Sequence, residues 1–158
     1  MTRDEQWLLE EKYGGKETAE YEEDKNRLAQ SEPIGYVIGW QPFLGLKIHL
    51  DSKPLIPRPE TEWWTEQLLI HLEAEPPSGD ISLGGSASKL RFLDLCAGSG
   101  AIGCAALARL RTRQHDDASH AQVYFGEIDP AHETTIQKNI RENNLNESRA
   151  DIRVGNLF

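Results

Sequence analysis

One stretch constrains this chain more than any other: Arg91-Phe92-Leu93-Asp94-Leu95-Cys96-Ala97-Gly98-Ser99-Gly100-Ala101-Ile102-Gly103. Arg91 to Leu95 carries an apolar run that reads as a buried strand. Gly98 and Gly100 free the backbone for a tight turn and for close approach of a ligand. Ala101 to Leu110 is rich in Ala and Leu and favours helix. A turn that feeds a helix N-terminus presents unpaired N–H groups and the positive end of the helix dipole, which suits a polar or anionic ligand.

The residues that follow repeat the pattern. Ala121 to Gly126 is a second core strand ending at Glu127, Pro130 sits near the first turn of a helix over Ala131–Asn143, and Ala150–Val154 is a third strand. Alternating strands and helices imply a parallel sheet, half of a doubly wound α/β fold, whose ligands bind at the carboxyl ends of the strands. Asp94, Gly98, Gly100, Glu127 and Asn156 all fall at such ends. Three parallel strands leave an open edge and an uncovered face, so the chain is expected to be incomplete.

Upstream, the character changes twice. Thr2–Tyr13 and Thr18–Gln30 read as two short helices separated by Gly14-Gly15. Residues 1–32 hold ten acidic against five basic side chains, so solvated helices or a frayed lead-in are expected, with the remnant of a partner-docking helical domain as the other reading. Pro33–Trp40 mixes β-formers with glycine turns, and Leu44–Leu50 alternates like a half-buried strand; together they suggest a β-hairpin, with His49 on its polar, surface-facing side. In Leu55-Ile56-Pro57-Arg58-Pro59-Glu60-Thr61-Glu62 two prolines hold Arg58 in stiff, extended backbone. Thr61 is placed to cap a helix over Glu62–Leu72, with Trp64, Leu68 and Leu72 as its apolar marks. Composition makes residues 75–89 a flexible linker. The expected organisation is therefore a reduced helical segment (1–31), a hairpin with its linking helix (32–74), the linker (75–89) and a ligand-binding half-domain (90–158).

Composition trims the functions available. A net charge of −9 argues against general nucleic-acid binding, which needs a basic footprint. Cys96 and Cys104 fit reduced thiols better than a disulfide scaffold. His115 and His120 lack cysteines at metal-ligand spacing, so no metal site is expected. No run of 18 apolar residues marks a membrane span, and the acidic start carries no visible targeting signal.

Gly98-x-Gly100-x-x-Gly103, with Glu127 24 positions on, is also the dinucleotide pattern. An NAD-binding oxidoreductase domain is thus one alternative. Asp94 pulls away from it, because a carboxylate inside the turn faces a pyrophosphate unfavourably. S-adenosylmethionine, with its ammonium and sulfonium, suits that carboxylate better. Glu127 suits the two hydroxyls of a ribose in either ligand.

Asp94-Leu95-Cys96-Ala97-Gly98-Ser99-Gly100 resembles motif I of the class I S-adenosylmethionine-dependent methyltransferases. Pro33-Ile34-Gly35-Tyr36-Val37-Ile38-Gly39, Phe43, and Leu55 to Glu62 with its Pro-Arg-Pro-Glu-Thr-Glu run resemble the HemK/PrmC family, which methylates the glutamine amide of the Gly-Gly-Gln motif in peptide chain release factors. The resemblance runs from about Glu32 to Phe158. It implies a partial Rossmann-like methyltransferase sheet, S-adenosylmethionine as cofactor, and a release factor as protein partner of a monomer. It implies no direct nucleic-acid or membrane partner, and a cytoplasmic or mitochondrial location.

By the same resemblance, Asp94, Cys96, Ala97, Gly98, Ser99 and Gly100 form the cofactor turn, Glu127 holds the ribose hydroxyls, and Asn156 lies near the adenine where relatives more often have Asp. Cys96 stands where many relatives have Gly. Arg58, Thr61 and Glu62 line the active site. The family's catalytic Asn-Pro-Pro-Tyr does not occur among the 158 residues. Its Asn would hold the amide nitrogen in line with the methyl group, so the expectation is a fragment without its catalytic loop. A non-catalytic cofactor-binding remnant, or a subunit completed by a partner, is the alternative.

Overall fold

The computed structural model describes residues 1–74, 90–110 and 121–156. The linker expected over 75–89, His115, His120 and the last two residues lie outside them.

The N-terminal third packs into a small core of its own. Helices α1 (Arg3–Tyr13) and α2 (Ala19–Ala29) are followed by a short α3 (Ile34–Ile38). Thr2 and Glu5 form a reciprocal capping box at the start of α1. Gly14, at φ 57°, ends α1 in the left-handed region where glycine carries no Cβ penalty. Leu8, Tyr21, Val37 and Ile38 bury together. Asp24 is enclosed beside them and accepts from Lys12 Nζ at 2.6 Å, Tyr13 Oη at 2.7 Å and Arg27 Nη1 at 2.7 Å. These partners outweigh burial and hold the Asp24 carboxyl below its usual range. Burial first, then the bond to Asp24, pushes the Tyr13 hydroxyl up to about 12.

This corrects the expectation of solvated or frayed helices. Four buried apolar side chains, the half-buried Trp7, Leu9, Tyr13, Leu28, Ile34 and Trp40 packed on them, and one paired carboxylate join three short helices, although charge dominates the composition. It also corrects Pro33–Trp40, most of which is helix rather than strand. Burial of Val37 and Ile38 against Leu8 and Tyr21 outweighs their β propensity, and Gly39 at φ 92° stops the helix after five residues.

The hairpin forms one register later, from β1 (Trp40–Phe43) and β2 (Leu46–His49), antiparallel with Phe43 opposite Leu46. Phe43, Ile48 and Leu50 enter the main core. His49 is only half-exposed and its Nε2 is enclosed without a partner. Burial first, then Lys138, depresses its pKa, so it is no simple surface histidine.

Helix α4 (Pro59–Ala74) starts at Pro59, three residues before the expected position, where proline costs no hydrogen bond. Glu62 N donates to Arg58 O at 3.0 Å, closing the first turn. Thr61 therefore lies inside the helix and is no cap; its carbonyl accepts from Thr65 Oγ1 at 2.7 Å. The buried face is Thr65 and Leu69, while Trp64 is 57% exposed and Leu68 and Leu72 are half-buried. The repeat at four was read one position off, because Thr65, a polar residue satisfied within its own helix, fills the core position.

The second unit is the α/β one. Strands β3 (Arg91–Leu95), β4 (Gln122–Glu127) and β5 (Ala150–Val154) form a parallel sheet in the order β3-β4-β5. Helix α5 (Ala101–Arg109) joins the first pair of strands in sequence and α6 (Pro130–Glu142) the second. Register puts Asp94, Phe125 and Ile152 in one row. Phe125 and Val123 pack with Cys104, Ala105, Ile136 and Ile140 in the main core. The opposite face carries Leu93 and Leu95, which are 60% and 49% exposed, so β3 is not the fully buried strand its apolar run suggested. Arg149 is buried and donates to Ala121 O, Leu107 O and Leu110 O, so a cation closes the C-terminus of α5, where the helix dipole favours it.

Candidate functional site

The carboxyl ends of β3 and β4 meet at the glycine turn. Ala97 N donates to Gly126 O at 3.1 Å and Gly100 N to Ala97 O at 2.7 Å, which folds the turn back over the end of β4. Cys96, Gly98 and Gly100 all have positive φ, at 57°, 56° and 74°. Cys96 adopts this conformation against its Cβ and lies exposed at the mouth of the turn. Ala97 is half-buried and Ser99 buried. At Gly98 an added Cβ would stand in ordinary contact with Pro54 Cβ, at 3.5 Å, and the residue is half-exposed. Gly100 and Gly103 serve packing: at Gly103 a Cβ would stand 2.2 Å from Phe125 Cε1.

Asp94 and Glu127 flank this turn and do different work. Asp94 is 5% exposed, and its Oδ2 accepts from Gly103 N at 2.8 Å, inside the first turn of α5. Burial, then the charge of Glu127, push its carboxyl up to about 7 against the single N–H of Gly103. Its place in β3 turns Asp94 toward the helix layer, where it braces the turn from beneath.

Glu127, 8% exposed, accepts from Gly98 N at 2.7 Å with Oε2, and from Ile128 N at 2.8 Å and Asp129 N at 3.1 Å with Oε1. Burial works to raise its pKa, but the N–H groups of Asp129, Gly98 and Ile128, with His132 nearby, outweigh it and keep the carboxyl below its usual range. It is thus an ionised acceptor clasped to the glycine turn. Ile128 follows it, 66% exposed, at the same strand end. Asn156 is exposed just past β5, and Gly155 N before it donates to Glu127 O at 2.9 Å. Three strand ends therefore converge, as the alternation predicts.

The proline segment reaches this site from the hairpin side. Tyr36 Oη donates to Pro54 O at 2.8 Å and Gln41 Nε2 to Pro57 O at 2.7 Å. With Pro54 seated on Gly98, the backbone leading to Arg58 is fixed on both sides, and the Arg58 side chain is exposed. Glu62 faces elsewhere. Its Oε1 accepts from Leu44 N at 2.6 Å, where Leu44 sits at φ 47° in the hairpin turn. It lines a separate groove with Gly45, Trp63, Glu66 and Arg109. The structure thus brings Asp94, Cys96–Gly100, Glu127 and Asn156 to one sheet edge, while Glu62 braces the hairpin.

One residue escaped the sequence reading. Asn139 on α6 is wholly buried and donates to Ser99 O at 2.9 Å and His49 O at 3.1 Å, while accepting from His49 N at 2.7 Å. The available signal was an Asn at a core position of an amphipathic helix, four residues from a second one, Asn143. Among the described residues no group of three His, Cys, Asp or Glu side chains could hold a metal ion, and no helix is long and apolar enough to cross a membrane.

No family model matches the chain. It is 38% identical over 95 residues to the release factor glutamine methyltransferase of Lactococcus lactis, covering 60% of this chain and 30% of that protein. It is 32% identical over 126 residues to the release factor glutamine methyltransferase of Chlamydia trachomatis, covering 80% of this chain and 36% of that protein. It is 40% identical over 86 residues to a probable mitochondrial N(5)-glutamine methyltransferase of Schizosaccharomyces pombe, covering 52% of this chain and 24% of that protein. The chain spans about a third of the length of the first two relatives.

Proposed function

We propose that this chain carries the S-adenosylmethionine-binding part of a release factor glutamine methyltransferase, a reading supported by its likeness to those proteins. The observation that supports this best is the ionised Glu127 carboxylate held at the end of β4 against the backbone of Gly98. Such a carboxylate accepts two hydroxyl hydrogens of a ribose well. The residues fit the cofactor: a glycine turn half-exposed at Gly98 with Cys96 exposed at its mouth, an acceptor beside it, the exposed apolar Ile128 next to that acceptor, and Asn156 at the third strand end.

S-adenosylmethionine supplies an electrophilic methyl group on sulfonium. In this reading Glu127 orients the ribose, the backbone from Cys96 to Gly100 receives the methionine part, and Asn156 accepts near the adenine. Asp94 holds the turn at the N-terminus of α5. Arg58 is the candidate contact for substrate, because its backbone is pinned and its side chain free to reach outward. The full activity proposed is transfer of the methyl group to the glutamine amide nitrogen of a release factor, with the chain acting as a monomer in the cytoplasm or in mitochondria. This chain lacks Asn-Pro-Pro-Tyr, so the 158 residues alone are expected to bind cofactor without turnover.

Titration calorimetry of the purified chain with S-adenosylmethionine, and separately with NAD, tests the reading. Heat with S-adenosylmethionine that NAD does not displace supports it. A folded sample that gives no heat with S-adenosylmethionine overturns it. A second reading, a subunit completed by another polypeptide, draws support from the uncovered Leu93 and Leu95; release-factor methylation that appears only on adding that polypeptide distinguishes it.

A further inference from the structure

We infer that Asn139 is a positioning residue that locks the glycine turn to the hairpin and so sets the geometry of the cofactor turn; the inference rests on the S-adenosylmethionine reading above for its consequence in binding, and on geometry alone for the lock itself. One stripe of α6 and its cap, at four-residue spacing, serves as a surrogate strand for β2. Among the described residues strand β2 pairs with β1 on one side only. On its other side Asn143 accepts from Lys47 N at 2.9 Å and donates to Lys47 O at 2.9 Å. Asn139 does the same for His49 N and His49 O. Thr135 Oγ1 accepts from Ser52 N at 3.2 Å and donates to Ser52 Oγ at 2.7 Å. The side chains of a helix thus satisfy backbone groups that a neighbouring strand would otherwise take.

Only Asn139 carries the chain of bonds further. Its Nδ2 has two hydrogens; one goes to His49 O and the other to Ser99 O, in the middle of the glycine turn. With Oδ1 on His49 N, every donor hydrogen is used and a flipped amide would lose all three bonds. No water competes, since the residue is wholly buried. Ser99 lies between Gly98 and Gly100, whose positive φ values leave the turn few side-chain constraints of its own. The same hairpin leads through Ser52 and Pro54 to the segment that carries Arg58, with Pro54 seated on Gly98. Asn139 therefore fixes the cofactor turn and the Arg58 segment in one frame.

Three features of the fold give the test its controls. Asn143 and Thr135 belong to the same stripe and hold the same hairpin, but neither bonds to the glycine turn. Asn139→Ala and Asn139→Ser are compared with Asn143→Ala and Thr135→Val in the 158-residue chain, reading S-adenosylmethionine affinity by calorimetry, thermal stability, and amide hydrogen exchange of Gly98 and Gly100 without ligand. The expected result is that all four lose stability, while only the Asn139 variants lose tenfold or more in affinity and exchange Gly98 and Gly100 at least tenfold faster. Affinity and loop exchange that stay at wild-type values in Asn139→Ser, or that fall alike in all four variants, overturn the inference. If the wild-type chain does not bind S-adenosylmethionine, the functional reading fails and loop exchange alone decides the lock. If neither Asn139 variant folds, exchange in the wild-type chain decides: His49 N–H opening together with Gly98 and Gly100 supports it, and independent opening overturns it.

Discussion

Asp94→Asn is the substitution whose effect can be worked furthest from the structure. Asp94 is enclosed, with Gly103 N on one oxygen and Glu127 and Cys104 nearby, and its carboxyl is pushed up to about 7. In the unfolded chain the value is about 3.9. A raised folded pKa means that the folded state prefers the protonated acid. The stabilising contribution is complete below pH ~4 and is lost as the pH rises through about 7. The whole difference corresponds to about 4 kcal/mol, of which roughly 2–3 kcal/mol falls between pH 5 and 8. The lowered carboxyls, Asp24 and Glu127, shift stability in the opposite direction but only as the pH falls below that window.

Asn keeps a carbonyl for Gly103 N and cannot ionise. Asp94→Asn is therefore expected to flatten the decline and to be the more stable protein at pH 8, by about 1–3 kcal/mol after the weaker bond to Gly103 is allowed for. Urea unfolding followed by tryptophan fluorescence at pH 5, 6, 7 and 8 reads this directly, and the histidine contributions cancel in the difference between the two proteins. Parallel pH dependences for wild type and Asp94→Asn would refute the buried, brace-like role of Asp94.

Other expectations follow from the same geometry. Glu127→Ala should weaken S-adenosylmethionine binding by about 1–3 kcal/mol, the range for hydrogen bonds to a charged group, as measured by calorimetry; unchanged affinity would mean that the ribose sits elsewhere. Gly103→Ala should destabilise by about 1–3 kcal/mol or more, because its Cβ would lie 2.2 Å from Phe125 Cε1. Pairing it with Phe125→Leu should recover part of that loss in urea unfolding, and no recovery would mean that the clash lies elsewhere. Asp24→Ala should cost about 1–3 kcal/mol, since it strips three partners of their acceptor at the centre of the N-terminal helices. A thermal scan that matches wild type would mean the network is ornamental to that unit.

Local chemistry wrote much of this protein. The βα alternation, the glycine turn, the ends of β3, β4 and β5, and Glu127 at a strand end were all legible, because strand and helix periods, glycine's freedom at positive φ and proline at a helix start act within a few residues. The Pro-Arg-Pro run was legible for the same reason, and Pro59 opens its helix directly. What failed was whatever depends on a partner distant in the chain. Val37 and Ile38 look like strand until Leu8 and Tyr21 supply a surface for helix. Thr65 takes a core position that apolar spacing assigns to Trp64. Asn139 is an ordinary polar residue until folding sets it between His49 and Ser99. A single sequence determined where the glycine turn lies and which strand ends converge on it. Only the tertiary structure decided which backbone N–H groups each buried carboxylate takes and what Asn139 joins, because burial and hydrogen-bond partners are properties of the packed molecule.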